Sequence, residues 1–155
     1  MSRVVASVFG IGLFPAAPGT FASIVALFVG AALMHLHPLA LPVAVALACV
    51  AGFVAIPRAV PDGDADPGWV VIDETAGQWL AMTTLGAVTL PGLVLAFCLF
   101  RLLDITKPGP IGWADRQHGP FGIMVDDLVA GGLVAVIIYA LRLTWPELLA
   151  YEVYG

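Results

Sequence analysis

Residues 20–34 (TFASIVALFVGAALM) and 39–56 (LALPVAVALACVAGFVAI) are apolar runs separated only by the short HLHP stretch, and neither contains an Asp, Glu, Lys or Arg. A helix that crosses a bilayer needs about 20 mostly apolar residues. Only helices and closed barrels satisfy their own backbone polar groups in hydrocarbon, so this pair of runs points to a helical membrane fold. Composition agrees: 61% of the residues are hydrophobic, 11% are charged and the mean hydropathy is +1.01. An ordinary soluble domain carries roughly 25% charged residues. The 12 prolines and 17 glycines speak against one uninterrupted bundle of long helices, and no stretch is repeated or linker-like, so a single domain over residues 1–155 is expected. The net charge of −5 reflects clustered acidic residues, not a uniform acidic surface, and nothing resembles a nucleic-acid-binding patch. Cys49 and Cys98 lie in apolar runs, where cysteine acts as a small hydrophobe, so no disulfide or metal role is assigned to them.

Further segments of membrane character follow. Residues 69–88, 93–105 and 124–143 are read as helical passes, giving an all-α polytopic bundle of four to five membrane helices. Residues 57–68 (PRAVPDGDADPG) and 106–123 are read as loops. The N-terminal segment has the basic residue, apolar run and small residues of a signal peptide, but Gly10, Gly12 and Pro15 break the run. It is expected to remain, with residues 3–14 a re-entrant or interfacial piece too short to span.

Alternating the passes places Arg3, Arg58, Lys107 and Arg116 at one face, with Arg142 the basic residue at the other. By the positive-inside rule the first face is cytoplasmic. The same alternation brings Asp73, Glu74, Arg101, Asp104, Asp126 and Asp127 to that end of the bundle. Charged side chains in membrane helices are costly and face a bundle interior or a wet cavity, so charges converging at one depth read as a site.

The chemistry follows from the donor set. Asp73, Glu74, Asp104, Asp126 and Asp127 would repel one another in an apolar setting, and a hard divalent cation such as Mg²⁺ removes the conflict. Arg101 and Lys107 supply fixed positive charge suited to phosphate. Arg101 and Asp104 are spaced i,i+3 and share a helix face. Asp73 stands four residues before Gly77, and Asp127 four before Gly131, so a bare backbone beneath each carboxylate permits close helix approach. Consecutive Asp126 and Asp127 point about 100° apart, so at least one is expected as a ligand while the other orients it or caps the helix start. At the same face, Pro18, Gly19 and Thr20 form a turn whose N–H groups, with the Thr20 and Ser23 hydroxyls, can meet an anion at a helix N-terminus; an ordinary helix entry capped by Thr20 is the competing reading. His35 and His37 belong to the opposite face, whereas His118 lies on the site side. The residues alone leave two other classes open: a small cation transporter or channel using the carboxylates, and a non-catalytic assembly subunit held by Gly-rich helices.

Three stretches, FGIGLFPAAPGTFAS, VVIDETAGQWLAM and FRLLDITKPGPIGWADRQHGPFGIMVDDLVAG, occur in that order, and along nearly its whole length the chain resembles the phosphatidylglycerophosphatase A family. The resemblance implies a Mg²⁺-dependent enzyme in the bacterial cytoplasmic (inner) membrane, acting from the cytoplasmic side on phosphatidylglycerophosphate, a phospholipid held in the bilayer. It implies functional roles for Thr20, Ser23, Asp73, Glu74, Arg101, Asp104, Lys107, Asp126 and Asp127. Of these, Asp73, Glu74, Asp126 and Asp127 are the implied metal ligands, and Thr20, Ser23, Arg101 and Lys107 the phosphate-binding set. One departure is visible: where the family typically reads His-Gly-Gly, this chain has His118, Gly119 and Pro120. An activated water and an aspartyl-phosphate formed on Asp104 or another carboxylate are both compatible with the sequence, and the oligomeric state is open.

Overall fold

The computed structural model describes residues 1–60, 67–117 and 119–149. Among these residues every regular element is helical. The order is α1 (Ser2–Ala6), a 3₁₀ turn (Ile11–Leu13), α2 (Pro18–Leu36), α3 (Ala40–Ala59), α4 (Ile72–Met82), α5 (Leu90–Thr106), α6 (Pro110–Asp115), α7 (Gly119–Thr144) and α8 (Pro146–Leu149). Three of them, α2, α3 and α7, are long and apolar enough to cross a membrane. Their outward faces carry exposed large apolar residues such as Phe28, Leu47, Val50 and Val136. In water such a surface would be an aggregation hazard, whereas in lipid it matches its solvent.

The pass expected over residues 69–88 is much shorter than a span. Helix α4 has 11 residues, about 16 Å at 1.5 Å per residue, roughly half the hydrocarbon thickness. Its sequence explains where it stops. Thr83 turns its hydroxyl onto the Leu80 carbonyl, and Gly86 takes a positive φ of 79°. The irregular backbone that follows is tied back by hydrogen bonds to other parts of the chain and to the next helix cap. Arg142 donates to the Thr84 carbonyl at 2.7 Å, the Thr84 hydroxyl donates to the Ala135 carbonyl at 2.8 Å, and Thr89 accepts from the Gly92 N–H at 3.2 Å. Helix α4 is buried on nearly every side, packing most extensively on α7 and also on α2, α3 and α5. It is the axis of the bundle.

Two other expectations change. Residues 106–123 are not simply a loop, since α6 occupies part of them and α7 begins at Gly119. Asp126 and Asp127 therefore sit two turns inside α7, which removes the helix-start cap as a role for either. Pro120 falls in the first turn of α7, where its missing N–H costs little. Of the loop expected at 57–68, residues 57–59 belong to α3, while residues 61–66, together with His118 and residues 150–155, lie outside the described residues.

The alternation of ends holds. The Val71 N–H donates to the Ala6 carbonyl at 3.0 Å, tying the N-terminal segment to the entry of α4. Ala6, Ala55, Ile56, Val70, Ile72 and Met124 form one apolar core near this end. A second core, around Met82, Leu85, Phe100, Val134 and Ile138, lies further along.

Candidate active site

The entry of α4 places Asp73 and Glu74 in that helix's first turn. One turn on, Gly77 meets Gly131 of α7 backbone to backbone: a Cβ on Gly131 would overlap the Gly77 carbonyl, and one on Gly77 would meet the Phe100 ring and the Asp127 carbonyl. No other residue type fits this crossing without moving a helix. Because each glycine lies four residues after a carboxylate, their contact also delivers Asp127 to Asp73 and Glu74. One carboxylate oxygen from each of the three lies within 4.8 Å of the other two. Asp73 and Asp127 are buried and Glu74 is half-buried.

Asp104, Glu74 and Asp126 all stand close enough to Asp127 to repel its charge. A divalent cation relieves that repulsion, and a set of hard carboxylate oxygens is the donor chemistry that Mg²⁺ takes. The residues present therefore fit the ion that the family resemblance implies.

Asp126 turns away from this trio. Its Oδ2 accepts from Lys107 Nζ at 2.8 Å and its Oδ1 accepts from the Asp127 N–H at 2.9 Å. Lys107 also donates to Asp115 of α6, a partner to which the sequence reading assigned no role. The lysine caps the C-terminus of α5 in the left-handed region, at φ 46°, where glycine is the usual occupant. Burial by itself would depress the Lys107 ammonium, but hydrogen bonds and charge from Asp115 and Asp126 override it and hold the group above its ordinary range. Nearly two turns earlier on α5, Arg101 is paired with Asp104.

Helix α2 meets the cluster end-on. Its cap is Ala17, so the expected Pro18–Gly19–Thr20 turn is the first turn of the helix and Thr20 is not the cap. Pro18 has no N–H, which leaves those of Gly19 and Thr20 as the first-turn donors. A Cβ on Gly19 would overlap Glu74 Oε1, so the glycine lets this carboxylate approach the positive end of α2. Ser23 is fully buried and donates to the Gly19 carbonyl at 2.9 Å, inside its own helix. His37 belongs to the far end, where its Nδ1 accepts from the Leu39 N–H at 3.1 Å. The sequence reading passed over Gln78, a fully buried amide one turn beyond Glu74. The available signal was a polar side chain in the middle of an otherwise apolar buried helix.

The sequence profile described as Phosphatidylglycerophosphatase A matches residues 4–142. The chain is 36% identical over 140 residues to Phosphatidylglycerophosphatase A of Escherichia coli (strain K12), covering 89% of this chain and 81% of that one. It is 31% identical over 137 residues to the protein of the same name from Haemophilus influenzae, covering 86% and 84%. A Bacteroides thetaiotaomicron protein, provisionally named a phosphatidylinositol-3-phosphatase, is 31% identical over 146 residues, covering 86% and 89%. No solved structure matches the chain. With a profile that runs almost end to end and relatives aligned over most of both lengths, the chain belongs to the phosphatidylglycerophosphatase A family of phosphoric monoester hydrolases.

Proposed function

We propose that this chain hydrolyses the terminal phosphomonoester of phosphatidylglycerophosphate, releasing phosphatidylglycerol and phosphate, at a Mg²⁺ site facing the cytoplasm in a bacterial inner membrane. The observation that carries the reading is the convergence of Asp73, Glu74 and Asp127 from two helices in a chain of this family. These three hold the ion, which when bound supplies Lewis-acid polarisation of a phosphoryl oxygen and acidification of a bound water. Arg101 and Lys107 neutralise the remaining phosphoryl charge, and the first-turn N–H groups of α2 add donors. Asp126 and Asp115 hold Lys107 in place, and Asp104 holds Arg101. An apolar cavity of about 520 Å³, bounded by Val5, Leu47, Ile72 and Trp79, offers an acyl chain a seat beside the residue that precedes Asp73. Arg3, Arg58, Lys107 and Arg116 at the site end support the cytoplasmic orientation. The name of the Bacteroides relative concerns a different phospholipid, so what these sites share is a lipid phosphomonoester, with headgroup choice set around it.

The test is phosphate release from phosphatidylglycerophosphate in detergent, with Mg²⁺ or EDTA, for wild type and Asp127→Asn. Wild type should be active only with the cation. The variant should lose more than the roughly 10- to 100-fold typical of outer-shell partners. A well-folded wild type that releases no phosphate would sink the proposal.

A further inference from the structure

Gln78 is fully buried, and among the described residues neither its Nε2 nor its Oε1 has a hydrogen-bond partner. Buried amides in folded proteins are almost always paired, so an orphaned one asks for a reason. Its position supplies one. Glu74, Gln78 and Met82 form a single row on α4 at i, i+4 and i+8. At one end of the row Glu74 packs on Gly19, and at the other Met82 packs on Gly30, both of α2. Gln78 therefore lies between α4 and the buried small-residue side of α2, one turn beneath the Asp73, Glu74 and Asp127 cluster. A second orphan lies on α5: Arg101 Nε is buried without a hydrogen-bond partner, next in sequence to Phe100, which lies against Gly77.

The amide's chemistry narrows what it binds. A phosphoryl oxygen only accepts and would satisfy Nε2 alone, while a cation would use Oε1 alone. An oxygen that both donates and accepts satisfies the two together. We propose that Gln78 is a hydrogen-bonding residue of the phosphatase site, holding a hydroxyl-type oxygen, either the attacking water or the free hydroxyl of the substrate's headgroup glycerol. The assignment rests on the phosphatase reading above.

The experiment compares wild type with Gln78→Met and Gln78→Leu in detergent with Mg²⁺, on phosphatidylglycerophosphate and on its analogue lacking the headgroup hydroxyl. Thermal midpoints are recorded without lipid. Removing an orphaned amide should leave the midpoint at or above wild type while kcat/KM falls roughly 10- to 100-fold. If the oxygen is the attacking water, the loss is in kcat and equal on both lipids. If it is the headgroup hydroxyl, wild type is already impaired on the deoxy analogue and the substitutions add nothing there. Wild-type kcat/KM in both variants on both lipids would overturn the assignment. So would midpoints that fall together in both variants by more than about 4 °C, because the amide would then be structural. A wild type inactive on both lipids would instead overturn the phosphatase reading, and this assignment with it.

Discussion

The two ends of α4 handle polar groups in opposite ways. At its C-terminal end one cation, Arg142, reaches the carbonyl of Thr84 at 2.7 Å and fills the space beneath Gly86. A positive charge against the exposed carbonyls of a helix end is a closed arrangement, favoured by the helix dipole. At the N-terminal end three carboxylates meet, with the Arg101–Asp104 pair and the Lys107–Asp115–Asp126 pairs contributed by α5, α6 and α7. One end of α4 is settled by a single cation on a carbonyl, whereas the other gathers acidic side chains from two helices through close backbone packing.

That contrast can be broken most severely at the helix crossing. Gly131→Ala should push α7 off α4, costing about 1–3 kcal/mol of stability and separating Asp127 from its partners, so Mg²⁺-dependent activity should drop by more than the stability loss accounts for. The neighbouring Gly132→Ala meets only Leu80 Cδ2 at 3.9 Å and should fold and work normally, with helix propensity raised. Thermal midpoints and phosphate release for the pair decide the point, and equal behaviour would remove the glycine contact from the explanation. Next in size is Arg142→Met. It strips the closed end of a charged hydrogen bond and should lower stability by about 1–3 kcal/mol while leaving the Mg²⁺ concentration for half-maximal activity unchanged. A shifted Mg²⁺ requirement would show that the two ends are coupled.

The smallest effect concerns pH. Lys107 is held above its ordinary range, so its ion-pair contribution is fully present below the unfolded lysine value of about 10.4 and is lost as pH rises through the higher folded one. The stability difference between wild type and Lys107→Met should stay flat from neutral pH to about 10 and narrow only above it. A difference that already narrows near pH 8 would mean that Asp115 and Asp126 do not govern this lysine. Because Asp115 is exposed, salt should shrink the difference at every pH.

Much of the architecture was legible in the chain because lipid imposes a simple rule. Apolar runs near 20 residues must be helices, and alternating them sorts the charges to one end. Gly77 and Gly131 were legible for a similar reason: a glycine one turn after each carboxylate leaves room for a second backbone, and the structure places those two glycines against each other. The length of α4 was not legible, because hydropathy continues through residues 83–88 while the backbone does not. Its arrest depends on Arg142 and Ala135, more than 50 residues away, supplying the hydrogen bonds that make an irregular segment tolerable.

The amino-acid order by itself determined a helical membrane protein of this family, with its carboxylates gathered at one end, since both follow from local hydropathy and motif. Only the tertiary structure decided how those carboxylates divide, with Asp127 joining Asp73 and Glu74 while Asp126, one residue earlier, takes Lys107. Neighbouring side chains on a helix diverge by about 100°, so which one meets the cluster is set by the rotation of α7 against α4, and the packing of two glycines fixes that rotation.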